Sequence, residues 1–181
     1  MIPIPWMYDL TVFLSSLLVY PSGLKVIGKE KLPHTGRVIV AGNHVGNMDP
    51  FVITVAAKRR LRFLSKKELF AHPIMKWYML KVGNIPVDRQ SKSDIASIRA
   101  CIKALEEEEG LGIFPQGTRG GSQVMGGVAL IALKGKAPIM PVYVEKKGKW
   151  IVRFGELIPP EGTMQELTQK LAVALENLKQ L

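Results

Sequence analysis

Along the chain, short β-branched runs alternate with stretches in which apolar positions recur at helical spacing. Strands are expected over residues 24–27, 37–41, 61–65, 85–87, 111–114, 139–144 and 150–154, and helices over 50–57, 73–82, 93–109 and 126–133. Asp49-Pro50 is a helix-start signal, an N-cap acceptor followed by proline at the first helical position, and Gly110 is expected just past the end of the 93–109 helix. A last helix opens on the capping box Thr163-Met164-Gln165-Glu166, and its stripe Leu167, Leu171, Leu175, Leu178 must pack on the body. Strands alternating with helices define an α/β fold, a single domain with a mostly parallel or mixed central sheet flanked by helices. Loops that carry chemistry then gather at the carboxyl edge of that sheet.

The first twenty residues have a different pattern. Trp6, Leu10, Phe13, Leu14, Leu17 and Leu18 recur at helical spacing, while Tyr8, Thr11 and Ser15 share another face. The stretch carries Asp9, falls short of the roughly 20 apolar residues a membrane span needs, and lacks the basic start and small-residue cleavage site of a signal peptide. It is read as an amphipathic helix in the membrane interface, with Trp6 and Tyr8 at headgroup level; a core helix packed on the sheet is the alternative. Residues 1–22 then form the membrane-interface helix and residues 23–181 the αβ domain.

Composition narrows the partners. A chain of 181 residues, 47% hydrophobic, builds one substantial core. Cys101 is the single cysteine, so no intrachain disulfide or thiolate-rich metal site is available, and it falls in or beside the apolar stripe Ile95, Ile98, Ile102, Leu105. A net charge of +10 asks for an anionic partner: a phosphorylated substrate, an anionic membrane, an acidic carrier protein or nucleic acid. Nucleic acid is disfavoured, because no binding signature is present and the cations are not massed on one helix with stacking aromatics. The acidic run 106–109 lies at a helix carboxyl end, where the macrodipole disfavours it, and is read as a solvated face.

The chemistry concentrates in four blocks. Asn43-His44-Val45-Gly46-Asn47-Met48-Asp49-Pro50 places an imidazole at a strand's carboxyl end with a carboxylate five residues on, a general base with its orienter. Downstream come Gly83-Asn84-Ile85-Pro86-Val87-Asp88-Arg89, then Phe114-Pro115-Gln116-Gly117-Thr118-Arg119, then Ala137-Pro138-Ile139-Met140-Pro141-Val142-Tyr143-Val144. Block for block, in this order, they resemble the four motifs of the glycerolipid acyltransferases, most closely the bacterial 1-acylglycerol-3-phosphate acyltransferases, over roughly residues 24–160.

That resemblance implies transfer of a fatty acyl group from a thioester to the sn-2 hydroxyl of lysophosphatidic acid, giving phosphatidic acid, with His44 as base and Asp49 orienting it. It also implies a phosphate grip by Arg119 and a lysine, for which Lys66 competes with Lys67. Arg89 either joins the grip or pairs with Asp88 or Asp94, and Gln116, Gly117 and Thr118 complete the substrate-binding block. The guanidinium fork suits a phosphate monoester, and the glycines at 117, 120 and 121 let backbone N–H groups approach the anion. Pro138 and Pro141 are expected to shape a strand and the acyl slot, and Met75, Trp77 and Met79 to line that slot or pack in the core.

No metal and no cofactor are implied; acyl-CoA or an acylated carrier protein serves as co-substrate, and the basic run Lys58, Arg59, Arg60, Arg62 suits either. The expected partners are lysophosphatidic acid, that donor and an anionic membrane surface, at the cytoplasmic face of the cell membrane. Two positions depart from the pattern: Gln116 stands where the family has glutamate and Gly120 where it has serine. Gln116 leaves open another lysolipid or glycerol 3-phosphate as acceptor, or a non-catalytic module that binds anionic lipid. A serine hydrolase is disfavoured because Gly120-Gly121-Ser122-Gln123-Val124 has valine where the nucleophile elbow needs glycine, and the phosphate-binding loop of P-loop kinases is absent.

Overall fold

The computed structural model describes residues 4–88, 94–115 and 121–181, with side chains from residue 125 onward in the last segment. A seven-stranded sheet runs in the order β1-β7-β6-β2-β5-β3-β4. Strands β6 (Ile139–Lys147), β2 (Val38–Gly42), β5 (Gly110–Ile113), β3 (Leu61–Lys66) and β4 (Ile85–Val87) are parallel neighbours. β7 (Lys149–Phe154) turns back antiparallel on β6, and β1 (Leu24–Ile27) pairs parallel to β7, which makes the sheet mixed. All five residues of β2 are buried, as a central parallel strand covered on both faces requires.

Helices α4 (Ile95–Glu106), α5 (Gly121–Gly135) and α6 (Met164–Gln180) cover one face, where Cys101, Leu105, Val128, Leu167 and Leu171 pack against Ile39, Leu111 and Ile139. On the other face α2 (Asp49–Ala57) and the end of α1 (Pro5–Val19) bury Val19, Val52 and Ile53 against Val40, Val142 and Phe154. Each such aliphatic side chain contributes roughly 1.5–3 kcal/mol of transfer free energy. Cys101 belongs to the core, and burial pushes its thiol up to about 12, which makes it inert. The capping box of α6 forms in both directions, Thr163 Oγ1 accepting from Glu166 N and Glu166 Oε2 from Thr163 N, and all four leucines of its stripe are buried.

Several expected boundaries move, α5 starting at Gly121 and β6 running on to Lys147 among them, and two of the shifts have clear physical causes. The helix before β5 ends at Glu106, and Gly110 opens the strand rather than capping the helix; a Cβ there would sit 2.8 Å from Leu61 Cδ2 in the neighbouring strand. The left-handed turn falls instead on Glu108, at φ 59°, whose carboxylate receives the Arg37 guanidinium and backbone N–H. Glu109 receives Arg62 at 2.6 Å, so half of the acidic run is tied to the sheet rather than solvated. Asp49 likewise is the first helical residue of α2, with Met48 as its cap, and its side chain turns back to the preceding loop.

The N-terminal helix packs the opposite way from α6. Its polar stripe faces the body: the Tyr8 hydroxyl accepts from Leu61 N at 3.0 Å and donates to Arg59 O at 3.2 Å, Asp9 pairs with Arg60, and Thr11 meets Tyr78 of α3 (Pro73–Lys81) at 2.8 Å. Tyr8 is therefore a docking residue and does not sit at headgroup level; burial raises its phenol above the ordinary value. Trp6, Leu10, Phe13, Leu14, Leu17 and Leu18 point outward, and no helix among the described residues is long and apolar enough to cross a membrane.

Candidate active site

Strand β2 ends in Gly42, and the chain then turns through Asn43, whose side chain sets the path of the next residues. That side chain is buried and copies a strand residue, donating from Nδ2 to Val144 O at 2.8 Å and accepting at Oδ1 from Val144 N at 2.7 Å. This extends the β2–β6 ladder one step past its last backbone pair, Gly42 with Val142, and sets where His44 leaves the sheet. In the sequence Asn43 stands only as the start of a block. Its partner lies 101 residues away, so no local pattern announces the bond.

His44 Nδ1 lies 2.8 Å from Asp49 Oδ2, and the same oxygen accepts Val45 N at 2.6 Å and Gly46 N at 2.8 Å. Asp49 is fully buried and opens α2, where aligned peptide dipoles favour a negative charge. With the carboxylate as acceptor, the imidazole proton lies on Nδ1 and the Nε2 lone pair is available; no described residue bonds Nε2. Asp49 Oδ1 is buried without a partner among the described residues.

A stack of aromatic rings holds the imidazole from the side. Phe114 lies on His44 with centroids 4.7 Å apart at 28°, and Phe63 on Phe114 at 5.8 Å and 14°. The stack needs Gly112, because a Cβ at that position would overlap the Phe63 ring. Asn84, from the second block, accepts Phe63 N at its Oδ1 where β3 passes from pairing with β5 to pairing with β4. Neither ring has a role readable from the sequence, since stacking depends on register across three strands.

His44 and Phe114 stand in the wall of a cavity of about 500 Å³ that runs beneath α1. Tyr8, Thr11, Val12 and Ser15 form its roof; Phe51, Leu64, Met79 and Val82 make much of the rest apolar. Lys66, at the end of β3, lies on this cavity; Lys67 is not among its lining residues and pairs with Asp88 at 3.4 Å. Met79 lines the cavity, whereas Met75 and Trp77 are exposed on α3 rather than packed in the core or the slot. Pro138 and Pro141 shape the neighbourhood of β6 but stand outside the cavity wall. Arg89, Gln116, Gly117, Thr118 and Arg119 lie outside the described residues.

In the basic run around residue 60 the three arginines are engaged by the protein, and Lys58 is exposed. The Arg59 guanidinium donates to the carbonyls of Pro33 and Gly36, Arg60 pairs with Asp9, and Arg62 holds Glu109 and Gly83 O. Among the described residues no group of three or more His, Cys, Asp or Glu side chains is placed to hold a metal ion.

A strand-end imidazole bonded to a buried carboxylate on the wall of a largely apolar cavity makes a candidate acid–base site. The family model described as Acyltransferase matches residues 23–145. A 1-acyl-sn-glycerol-3-phosphate acyltransferase of Bacillus subtilis (strain 168) is 34% identical over 155 residues, 79% of this chain and 77% of that protein. One from Borreliella burgdorferi is 32% identical over 73% of this chain and 56% of its own length. The crystal structure of the 1-acyl-sn-glycerophosphate (LPA) acyltransferase PlsC from Thermotoga maritima superposes with a TM-score of 0.75 over 96% of this chain and 77% of that one, at 22% identity, a likeness of fold. The chain belongs to the acyltransferase family.

Proposed function

We propose that the protein moves a fatty acyl group from a thioester donor to the sn-2 hydroxyl of lysophosphatidic acid, forming phosphatidic acid, with His44 as general base. The observation that carries this reading is the His44–Asp49 pair at 2.8 Å on the wall of an apolar cavity that Lys66 also reaches; the names of the relatives supply the acceptor. His44 Nε2 takes the hydroxyl proton as the oxygen attacks the thioester carbonyl, the C–S bond breaks, and the imidazolium returns the proton to the departing thiolate. Such a base is worth roughly 10² to 10⁴ in rate. Holding the hydroxyl and thioester together contributes more, since effective molarities of about 10⁵ to 10⁸ M are reached in well-oriented reactions. Lys66 at the cavity, with Arg119 and Arg89, supplies the charge that holds the acceptor phosphate, and Gln116, Gly117 and Thr118 complete that cradle.

Residues 1–22 serve as the membrane-interface helix of the 23–181 domain, at the cytoplasmic face of the cell membrane. Trp6, Phe13 and Leu18 of α1 and Ile74 and Trp77 of α3 are all exposed, and α1 roofs the cavity, so a fatty chain reaches the site from the lipid side. The test is direct: purified protein, lysophosphatidic acid and either acyl-CoA or an acylated carrier protein, reading free thiol. Thiol release that depends on acceptor and on His44 supports the reading; release with neither donor overturns it. A panel of lysolipids with Gln116→Glu then fixes the acceptor, and the substitution is expected to change acceptor preference or rate measurably.

A further inference from the structure

The β6–β7 hairpin runs past the edge of the sheet where His44 sits. Backbone pairing of β2 with β6 ends at Val142, yet β6 and β7 stay paired out to Lys147 and Lys149. The exposed tip reads Lys146-Lys147-Gly148-Lys149, and Lys25 of β1 is exposed beside β7, in register with Ile151. Lys147 and Lys149 are direct cross-strand partners, a like-charge pairing that destabilises a hairpin. Lys147 has one carboxylate, Glu145 at 3.0 Å, which is shared with Arg153; no carboxylate partner of Lys146, Lys149 or Lys25 occurs among the described residues. Lys146 Nζ rests 4.8 Å above the Trp150 ring, which leaves the ammonium exposed.

This tip is linked to the carboxyl end of α1 through Gly23. Tyr20 O accepts Gly23 N at 2.9 Å, Gly23 O accepts Trp150 N at 2.8 Å, and Gly23 has no room for a Cβ, which would come within 2.9 Å of Lys149 Cβ. The end of α1, with Leu17, Leu18 and its cap Tyr20 exposed, is therefore tied through Gly23 to the start of β7 beside the lysine tip. An apolar stripe beside a cluster of exposed ammonium groups in excess of its carboxylates is complementary to a bilayer whose headgroups are negative: the hydrocarbon takes the leucines and the anionic headgroups take the ammonium groups.

We propose that the tip formed by Lys146, Lys147 and Lys149 docks on anionic lipid headgroups and orients the His44 edge toward the bilayer. It rests on the reading of α1 as an interfacial helix and adds a headgroup preference that an apolar helix alone does not give. Each lysine near such a surface is worth about fivefold in partition, so three together are worth on the order of a hundredfold at low salt.

The experiment is co-sedimentation of the full chain with phosphatidylcholine vesicles and with vesicles containing phosphatidylglycerol. The comparison is with Lys146→Gln/Lys147→Gln/Lys149→Gln and with the matching arginine triple as rescue. The glutamine triple is expected to lose about a hundredfold on anionic vesicles, with little change on neutral ones and an unchanged melt, and the arginine triple to recover the loss. Wild-type binding should weaken with salt. Equal partition of wild type and glutamine triple on anionic vesicles, or an equal loss on both compositions, overturns the assignment. So does retained partition with lost affinity for an acidic carrier protein in solution, which would give the tip to a protein partner. None of these readouts involves turnover; failure of the acyl-transfer reading appears only in the thiol assay.

Discussion

The two edges of the sheet treat charge in opposite ways. At the amino edge, where β5 and β3 begin, the arginines are engaged by the protein itself: Arg37 by Glu108, Arg59 by two carbonyls, Arg60 by Asp9, Arg62 by Glu109. At the carboxyl edge a buried carboxylate organises a histidine whose second nitrogen has no described partner, and Lys66 stands on a cavity. Cations matched inside the fold support it, and the groups left unmatched at the other edge are the ones the proposed reaction uses. The sign and number of charges in the chain carry no trace of this division.

Substitutions at the two edges should therefore separate rate from stability. The largest effect is expected from His44→Ala, a loss of roughly 10² to 10⁴ in kcat with an unchanged melt; a melt that falls in parallel would return the histidine to a structural role. Next is Gly112→Ala, which displaces Phe63 and so the Phe114 ring against His44; about 1–3 kcal/mol of stability should go, together with part of kcat. An unchanged kcat there would sever the stack from catalysis. At the other edge, Glu109→Gln should cost less than about 1 kcal/mol in denaturant unfolding and leave kcat and KM alone, since the pair is partly exposed.

The smallest effect is a slope. The Arg37 hydrogen bond holds Glu108 below the ordinary glutamate value, so its contribution is present above the unfolded-state value near 4.3 and is lost as pH falls through the lower folded value. Glu108→Gln should flatten the acid limb of a melting-temperature profile in that range and nowhere else, without changing the rate.

How much of this is legible in the sequence depends on how local each signal is. The α6 stripe and its capping box, and the strands at residues 24–27 and 85–87, come from spacing alone and form where expected. The membership of His44 and Asp49 in one site comes from their five-residue separation, but the direction of the Asp49 side chain does not; a residue that spells a helix cap instead closes a loop behind itself. Glu108 can take a left-handed turn that favours glycine because Arg37, 71 residues away, holds its carboxylate. Gly110 departs from its expected capping role for a similarly distant reason, its need for a bare Cα coming from Leu61 in another strand. Asn43 and the Phe63–Phe114 stack act between strands far apart in sequence, beyond the reach of any window.

The hydroxyl of Tyr8 closes a backbone turn 51 residues away and, with Thr11, binds α1 down over the cavity. That first helix is less a detachable anchor than a keystone. Prising it off would strip the ceiling from the cavity and wet the Leu61 amide in one movement, so the exposed apolar face outside and the architecture inside cannot be removed separately by cutting the chain. Only exchanging the outward residues Leu10, Phe13, Leu14 and Leu17, with Tyr8 left in place, pulls the two duties apart.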